Sequence, residues 1–198
     1  MAALPAVGIL ALQGNFAMHT ACFNTLGVNP HLIKTPAELA KIDGLVLPGG
    51  ESSAMLKLLS HDPSWFSALT QFFQQGKPIF GTCAGIILLA REVIPQQKSL
   101  NFLDVMVHRN AYGRQLESKV EEARLLLNQH TYQLPLTFIR APKIQSFGTK
   151  VKPLAYVGRE VVLVEEGPIL GATCHPEATT TLVHQYFLEK CAHNKALH

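Results

Sequence analysis

Along the first half of the chain, short apolar runs alternate with stretches of helical period. Ala6–Leu12 is a continuous apolar run ending at Gln13-Gly14, the pattern of a buried strand followed by a tight loop. Asn15 is placed to cap a helix running to about Leu26 and closed by Gly27. Pro30–Lys34 reads as a second short strand, and Thr35-Pro36 as the cap and first turn of a brief helix over Ala37–Lys41. Asp43–Leu47 is a third apolar strand ending at Pro48-Gly49-Gly50, and Glu51–Leu59 follows with helical spacing. Another helix starts at Asp62-Pro63 and ends at Gly76; Trp65, Phe66, Leu69, Phe72 and Phe73 form its core-facing stripe. Lys77–Phe80 is the fourth strand and Cys83–Arg91 the helix after it.

This alternation predicts a three-layer, doubly wound α/β fold of flavodoxin-like type, built on a mostly parallel sheet. Ligands of such sheets sit at the carboxyl ends of the strands. The loops Gln13-Gly14, Pro48-Gly49-Gly50 and Gly81–Gly85 all fall there and are expected to converge. The second half is richer in strands, with candidates at Leu103–Val107, Leu136–Ile139, Lys152–Tyr156, Val161–Val164 and Ile169–Cys174. Glu117–Leu127 fits either a helix or a surface ribbon. Thr179–Cys191 reads as a terminal helix with Leu182, Val183, Tyr186 and Phe187 on one face. With no repeat, low-complexity segment or linker, the expectation is one domain over residues 1–198.

Composition narrows the class. Apolar residues make up 47% and charged residues 16%, enough for a real core and far from the balance of a disordered chain. The net charge of +3, without clustered Lys/Arg and interleaved aromatics, argues against a nucleic-acid partner. No apolar run reaches membrane-spanning length and the N-terminus lacks the pattern of a signal peptide, so a cytoplasmic location is expected. Four cysteines without a Cys-x-x-Cys pair fit a reducing compartment. The nine histidines are scattered without metal-ligand spacing, so no metal or cofactor is expected.

The chemistry concentrates at two places. Gly81-Thr82-Cys83-Ala84-Gly85, directly after an apolar strand, has the spacing of a nucleophile elbow with a thiol at its apex. Cys83 at a helix start gains thiolate character there, and the Ala84 N–H beside it is a candidate oxyanion donor. His175-Pro176-Glu177 follows the last strand and supplies a base with a carboxylate two residues on to orient it. Cys22 and Cys191 fall inside amphipathic helices and read as core; Cys174, next to His175 on a strand, is expected to point away from the site.

Together these segments resemble class I, triad-type glutamine amidotransferases. Further motifs make the likeness closer: Gly8–Gly14, Pro48-Gly49-Gly50-Glu51-Ser52-Ser53, Arg109-Asn110-Ala111-Tyr112-Gly113-Arg114-Gln115 and Phe138-Ile139-Arg140-Ala141-Pro142. In order along residues 7–188, they resemble the glutaminase subunits of pyridoxal 5′-phosphate synthases. The resemblance implies hydrolysis of L-glutamine to glutamate and ammonia, with Cys83 as nucleophile, His175 as base and Glu177 as its orienter. It implies an oxyanion hole from the backbone at Gly50 and Ala84, and substrate contacts from Gly50, Glu51, Ser52, Arg109, Ile139 and Arg140. It implies a (β/α)₈-barrel synthase subunit as the partner that receives the ammonia, with Gln13 and Asn15 near that interface.

The chain departs from the family pattern at Asn15, which stands in place of an acidic residue, and at Cys174, in place of a phenylalanine. The run Ala54-Met55-Leu56-Lys57 is also less basic than is common in the family. Three other readings compete: a glutaminase serving another synthase, such as that of imidazole glycerol phosphate; a non-catalytic module on the same fold; and a Cys-dependent hydrolase of the isomerase/chaperone-like α/β superfamily, which lacks the terminal His-Pro-Glu arrangement. The Arg109–Gln115 and Phe138–Pro142 motifs count against the first, and the intact Cys83, His175 and Glu177 against the second.

Overall fold

A computed structural model describes residues 4–111 and 118–197. The first half alternates as expected: β1 (Val7–Leu10), α1 (Phe16–Thr25), β2 (His31–Ile33), β3 (Gly44–Leu47), α2 (Ser52–His61), α3 (Ser64–Gln74), β4 (Ile79–Thr82) and α4 (Ala84–Leu89). The second half adds β5 (Ala90–Ile94), β6 (Leu103–His108), β7 (Ser118–Leu127), β8 (His130–Ile139), β9 (Lys143–Phe147), β10 (Lys152–Val157), β11 (Glu160–Glu166), β12 (Ile169–Ala172) and α5 (Leu182–Leu197).

The main sheet has nine strands in the order β2-β1-β3-β4-β12-β11-β10-β7-β8. From β2 to β12 neighbours run parallel; from β12 to β8 they run antiparallel. The parallel part is the doubly wound core, and the β-rich second half extends it through hairpins. A separate sheet, β5-β6-β9, packs beside it.

Period two decides which layer each strand residue joins. Leu10, Leu45, Leu47, Ile79 and Ile169 face α2, α3, α4 and the small sheet in one core cluster. Val7, Ile9, Val46, Phe80 and Leu170 face α1 and α5 in the other. Both faces of the central strands are therefore buried, which is why they read as unbroken apolar runs. Helices close at left-handed glycines where expected, Gly27 after α1 and Gly76 after α3.

Some boundaries differ from the sequence reading. The helix after Cys83 stops at Leu89, because Ala90–Ile94 leaves as a strand that pairs with β6. The Glu117–Leu127 question resolves, over the described residues, to a ribbon: β7 pairs with β8 along its whole length. β9 had no distinct signal. Asn15 occupies the cap position of α1, but its side chain makes no cap hydrogen bond.

Candidate active site

The site is built where β1, β3, β4 and β12 end. Cys83 sits in the turn from β4 to α4 with φ 50° and ψ −101°, a conformation that L-residues rarely hold. The flanking glycines explain how the turn is made. A methyl on Gly81 would meet the Gly85 carbonyl carbon at 2.6 Å, and one on Gly85 would meet the Leu47 carbonyl oxygen at 2.1 Å. Only bare backbone lets α4 start this close to the sheet, and that closeness forces the thiol out into the cleft.

His175 follows β12, and its backbone N–H donates to the Thr137 carbonyl at 2.7 Å, which ties the residue to β8. Pro176–Ala178 forms one tight 3₁₀ turn. That turn brings Glu177 back beneath the imidazole, where Oε1 accepts the His175 Nδ1–H at 2.7 Å. With Nδ1 engaged, Nε2 is the edge left for Cys83, which flanks Gly49 together with the His175 ring and lines the same cleft. The thiol also approaches the Ile139 carbonyl, 3.8 Å away.

Burial alone would make His175 harder to protonate. The hydrogen bonds to Cys83 and Glu177, and their negative charge, outweigh it and lift the imidazole to about 10. Burial likewise opposes ionisation of Glu177, whose side chain is fully shielded, yet the His19 and His175 rings hold its carboxyl below the ordinary range. The arrangement suits a thiolate–imidazolium pair backed by a carboxylate.

A cleft of about 590 Å³ opens over Cys83 and His175, within the range of small-molecule sites. The three glycine-bearing loops converge on it through Gln13, Gly14, Gly49, Gly50 and Cys83. Glu51, Ser52, Arg109, Ile139, Arg140 and Asn15 also line it. Glu177 stands behind His175 and is buried. Ala84 is buried too, as the first residue of α4, where helical N–H groups have no intrahelical acceptor. The Tyr112–Gln115 part of the arginine motif lies outside the described residues.

Residues 9–193 match the model of the SNO glutamine amidotransferase family. The chain belongs to that family. A pyridoxal 5′-phosphate synthase subunit PdxT from Koribacter versatilis is 44% identical over 185 residues, 92% of this chain and 94% of that protein. One from Thermosipho africanus is 40% identical over 184 residues, covering 92% and 96%. A crystal structure of a glutamine amidotransferase superposes with a TM-score of 0.87 at 36% identity, covering 94% of this chain and 98% of that one. PurLQS from Thermotoga maritima has a TM-score of 0.67 at 14% identity over 98% of each chain, which shows the shared fold alone.

Several family-motif residues carry structural bonds as well. The Glu51 carboxylate caps α2 by accepting the Ser53 and Ala54 N–H groups at 3.0 and 2.6 Å, so it is engaged before any ligand arrives. Gln13 Oε1 accepts the Glu51 N–H at 3.3 Å and packs on Gly50. Asn15 turns inward, with Nδ2 3.0 Å from Met18 Sδ and 3.5 Å from Glu177 Oε1. Cys174 points into the core cluster beneath α1 and α5, away from the cleft as expected, and burial raises its pKa.

The sequence reading missed four residues. Gln97 Oε1 accepts from Ser52 Oγ at 3.2 Å and from Arg109, and so holds both on the cleft wall. Thr82, His19 and His184 form a buried polar group behind the triad. A signal existed for the histidines. His19 shares a helix face with Cys22 and Phe23, and His184 with Phe187 and Cys191, so each is a polar residue on an apolar stripe.

Among the described residues, no group of three or more His, Cys, Asp or Glu side chains could hold a metal ion, and no helix is long and apolar enough to cross a membrane.

Proposed function

We propose that this chain is the glutaminase subunit of a pyridoxal 5′-phosphate synthase, releasing ammonia from L-glutamine for vitamin B6 synthesis. The observation that carries the chemistry is the line Glu177 Oε1–His175–Cys83, with 2.7 Å between carboxylate and imidazole, opening into a cleft that carries Arg109 on its wall.

The substrate's side-chain amide lies over Cys83, with its α-carboxylate toward the Arg109 guanidinium, whose planar fork suits that group. Glu51, Ser52, Ile139 and Arg140 complete the pocket. The Cys83 sulfur attacks the amide carbon and the thiol proton resides on His175 Nε2. The tetrahedral oxyanion is met by N–H groups at Gly50 and Ala84. On collapse the leaving nitrogen takes a proton from His175 and departs as neutral ammonia, leaving a thioester. Water then attacks the thioester, its proton passes through His175, and glutamate leaves as the sulfur regains its proton. Glu177 holds the Nδ1–H throughout and favours the imidazolium.

Ammonia released into water would be protonated and lost as a nucleophile. Delivery to a separate barrel-shaped synthase subunit, docked on the Gln13 and Asn15 side of the cleft, prevents this. The names of the relatives support this partner over an imidazole glycerol phosphate synthase.

The test is ammonia release from glutamine, with and without the synthase subunit, for the wild-type chain and Cys83→Ala. Release by the wild type, raised by the partner and abolished in Cys83→Ala, is expected. Undiminished release by Cys83→Ala would overturn the mechanism.

A further inference from the structure

Behind the triad lies a pair of imidazoles that the proposed reaction does not use. His19 from α1 and His184 from α5 are both fully buried. His19 Nδ1 lies 2.8 Å from His184 Nε2. The other edge of His19, Nε2, faces two oxygens: Thr82 Oγ1 at 3.2 Å and Glu177 Oε1 at 3.5 Å. The rings are boxed in by aromatics. Phe80 meets both edge-on, with centroids at 6.2 and 5.6 Å, and Phe23 meets His184 at 5.1 Å. The titratable groups around His19 are His184 from α5, Glu177 and His175 from the turn after β12, and Cys22 on its own helix.

The proton positions in this pair follow from its surroundings. One proton lies between Nδ1 and Nε2 of the two rings, and two arrangements satisfy that bond. In the first, His19 Nδ1–H donates to His184, and the His19 Nε2 lone pair, which accepts the Thr82 hydroxyl proton, also faces the Glu177 carboxylate 3.5 Å away. In the second, His184 Nε2–H donates to His19, and the His19 Nε2–H points at Glu177 and Thr82. His184 Nδ1 has no partner in either case. The first arrangement sets lone pair against anion and leaves an N–H unsatisfied in the core. The second places a donor against a buried carboxylate whose other oxygen, Oε2, has no hydrogen-bond partner. The second is therefore the stable one.

We infer that His19, aligned by His184, is a positioning residue of this site: its Nε2–H braces the Glu177 carboxylate that orients His175. The bond is shared. Thr82 Oγ1 also accepts the Gly49 N–H at 3.0 Å, so the same imidazole fixes the carboxylate and, through Thr82, the glycine loop beside the nucleophile. Both rings stay uncharged because burial disfavours their protonated forms. The pair thus acts as a fixed dipole, adding no second positive charge to compete with His175.

This inference rests on the glutaminase reading for its kinetic arm but not for its spectroscopic one. In the full-length chain, long-range ¹H–¹⁵N correlation of the imidazoles is expected to show neutral His19 with a proton on Nε2 and none on Nδ1. A bare Nε2, or a charged ring, overturns the inference. The kinetic arm compares His19→Gln, whose amide nitrogen reaches the Nε2 position, with His19→Met, which has the same length and no donor. With the synthase subunit present, His19→Met should lower kcat about 10- to 100-fold with KM for glutamine unchanged, and His19→Gln should recover most of the loss. Equal kcat in two folded variants overturns it. A wild-type chain without glutaminase activity would instead overturn the functional reading, while the NMR result still decides the contact.

Discussion

Adding one methyl group at Gly49 should silence the site. A Cβ built on Gly49 would lie 2.3 Å from His175 Cε1, 3.0 Å from Nδ1 and 3.3 Å from Cys83 Cβ. Ordinary carbon contacts lie at about 3.5–4 Å, so ring and methyl must separate by roughly 1.2–1.7 Å. The ring cannot retreat while keeping its 2.7 Å bond to Glu177. The loop is pinned as well: the Gly49 N–H donates to Thr82 Oγ1 at 3.0 Å, and its carbonyl accepts the Asn15 N–H at 2.8 Å. Displacing a catalytic group by about 1 Å costs on the order of 100-fold in rate. Overpacking should cost about 1–3 kcal/mol of stability, a fall of roughly 2–12 °C in Tm for a chain of this length. Gly49→Ala is therefore expected to stay folded and lose about two orders of magnitude in kcat for ammonia release. The control is Gly27→Ala, at φ +77° with nothing within 4 Å of the new methyl. It should lose about 1 kcal/mol of stability and keep its activity. A Gly49→Ala chain with kcat within threefold of wild type would refute the reasoning.

The remaining predictions concern the residues around the triad. Gln97→Leu frees Arg109 and Ser52 from their shared acceptor and should raise KM for glutamine about tenfold while changing kcat less than about threefold; an unchanged KM would refute the assigned support. Acid should weaken the fold before it protonates most carboxylates, because burial lowers the pKa of His184 from an ordinary 6.5 to about 3. Between those values the unfolded chain takes up a proton that the folded chain refuses, so stability falls as pH drops through that window, by up to about 1.4 kcal/mol per pH unit. Urea unfolding at stepped pH should show this slope, and His184→Gln should flatten it; an equal slope in the variant would refute the assignment. Glu177 works in a lower window: its depressed carboxyl stabilises the fold in full above the ordinary carboxylate range, and that stabilisation is lost as pH falls from there through the folded value.

The parallel core was legible because its strands are buried on both faces. Val7–Leu10, Gly44–Leu47 and Ile79–Thr82 are buried end to end, and each is followed by a loop whose glycines meet real steric limits. The small sheet was harder to read. β5 begins at Ala90 in a segment whose helical spacing runs on to Arg91, and only pairing with β6 decides its state. β9 has one buried residue in its span, Ile144, so its alternation is too weak to register. Tertiary pairing outweighs local pattern in both places.

The cleft positions of Cys83 and His175 were legible for a different reason: backbone constraints leave marks in sequence. A strained φ at Cys83 demands glycine neighbours, and a one-turn return from His175 to Glu177 is stiffened by Pro176. The bracing behind them leaves no such mark. His19 and Thr82 are far apart in the chain, and each looks like an isolated polar residue in an apolar element. Their meaning arises only when α1 packs over the end of β4 and places the His19 ring between Thr82 Oγ1 and Glu177 Oε1. A fully buried carboxylate is costly unless its environment is polar and fixed. The chain meets that cost with neutral imidazoles rather than with a second cation. A buried Arg or Lys beside Glu177 would satisfy the carboxylate more strongly and so weaken its hold on the His175 imidazolium. A neutral N–H steadies the carboxylate and leaves its charge available to the base.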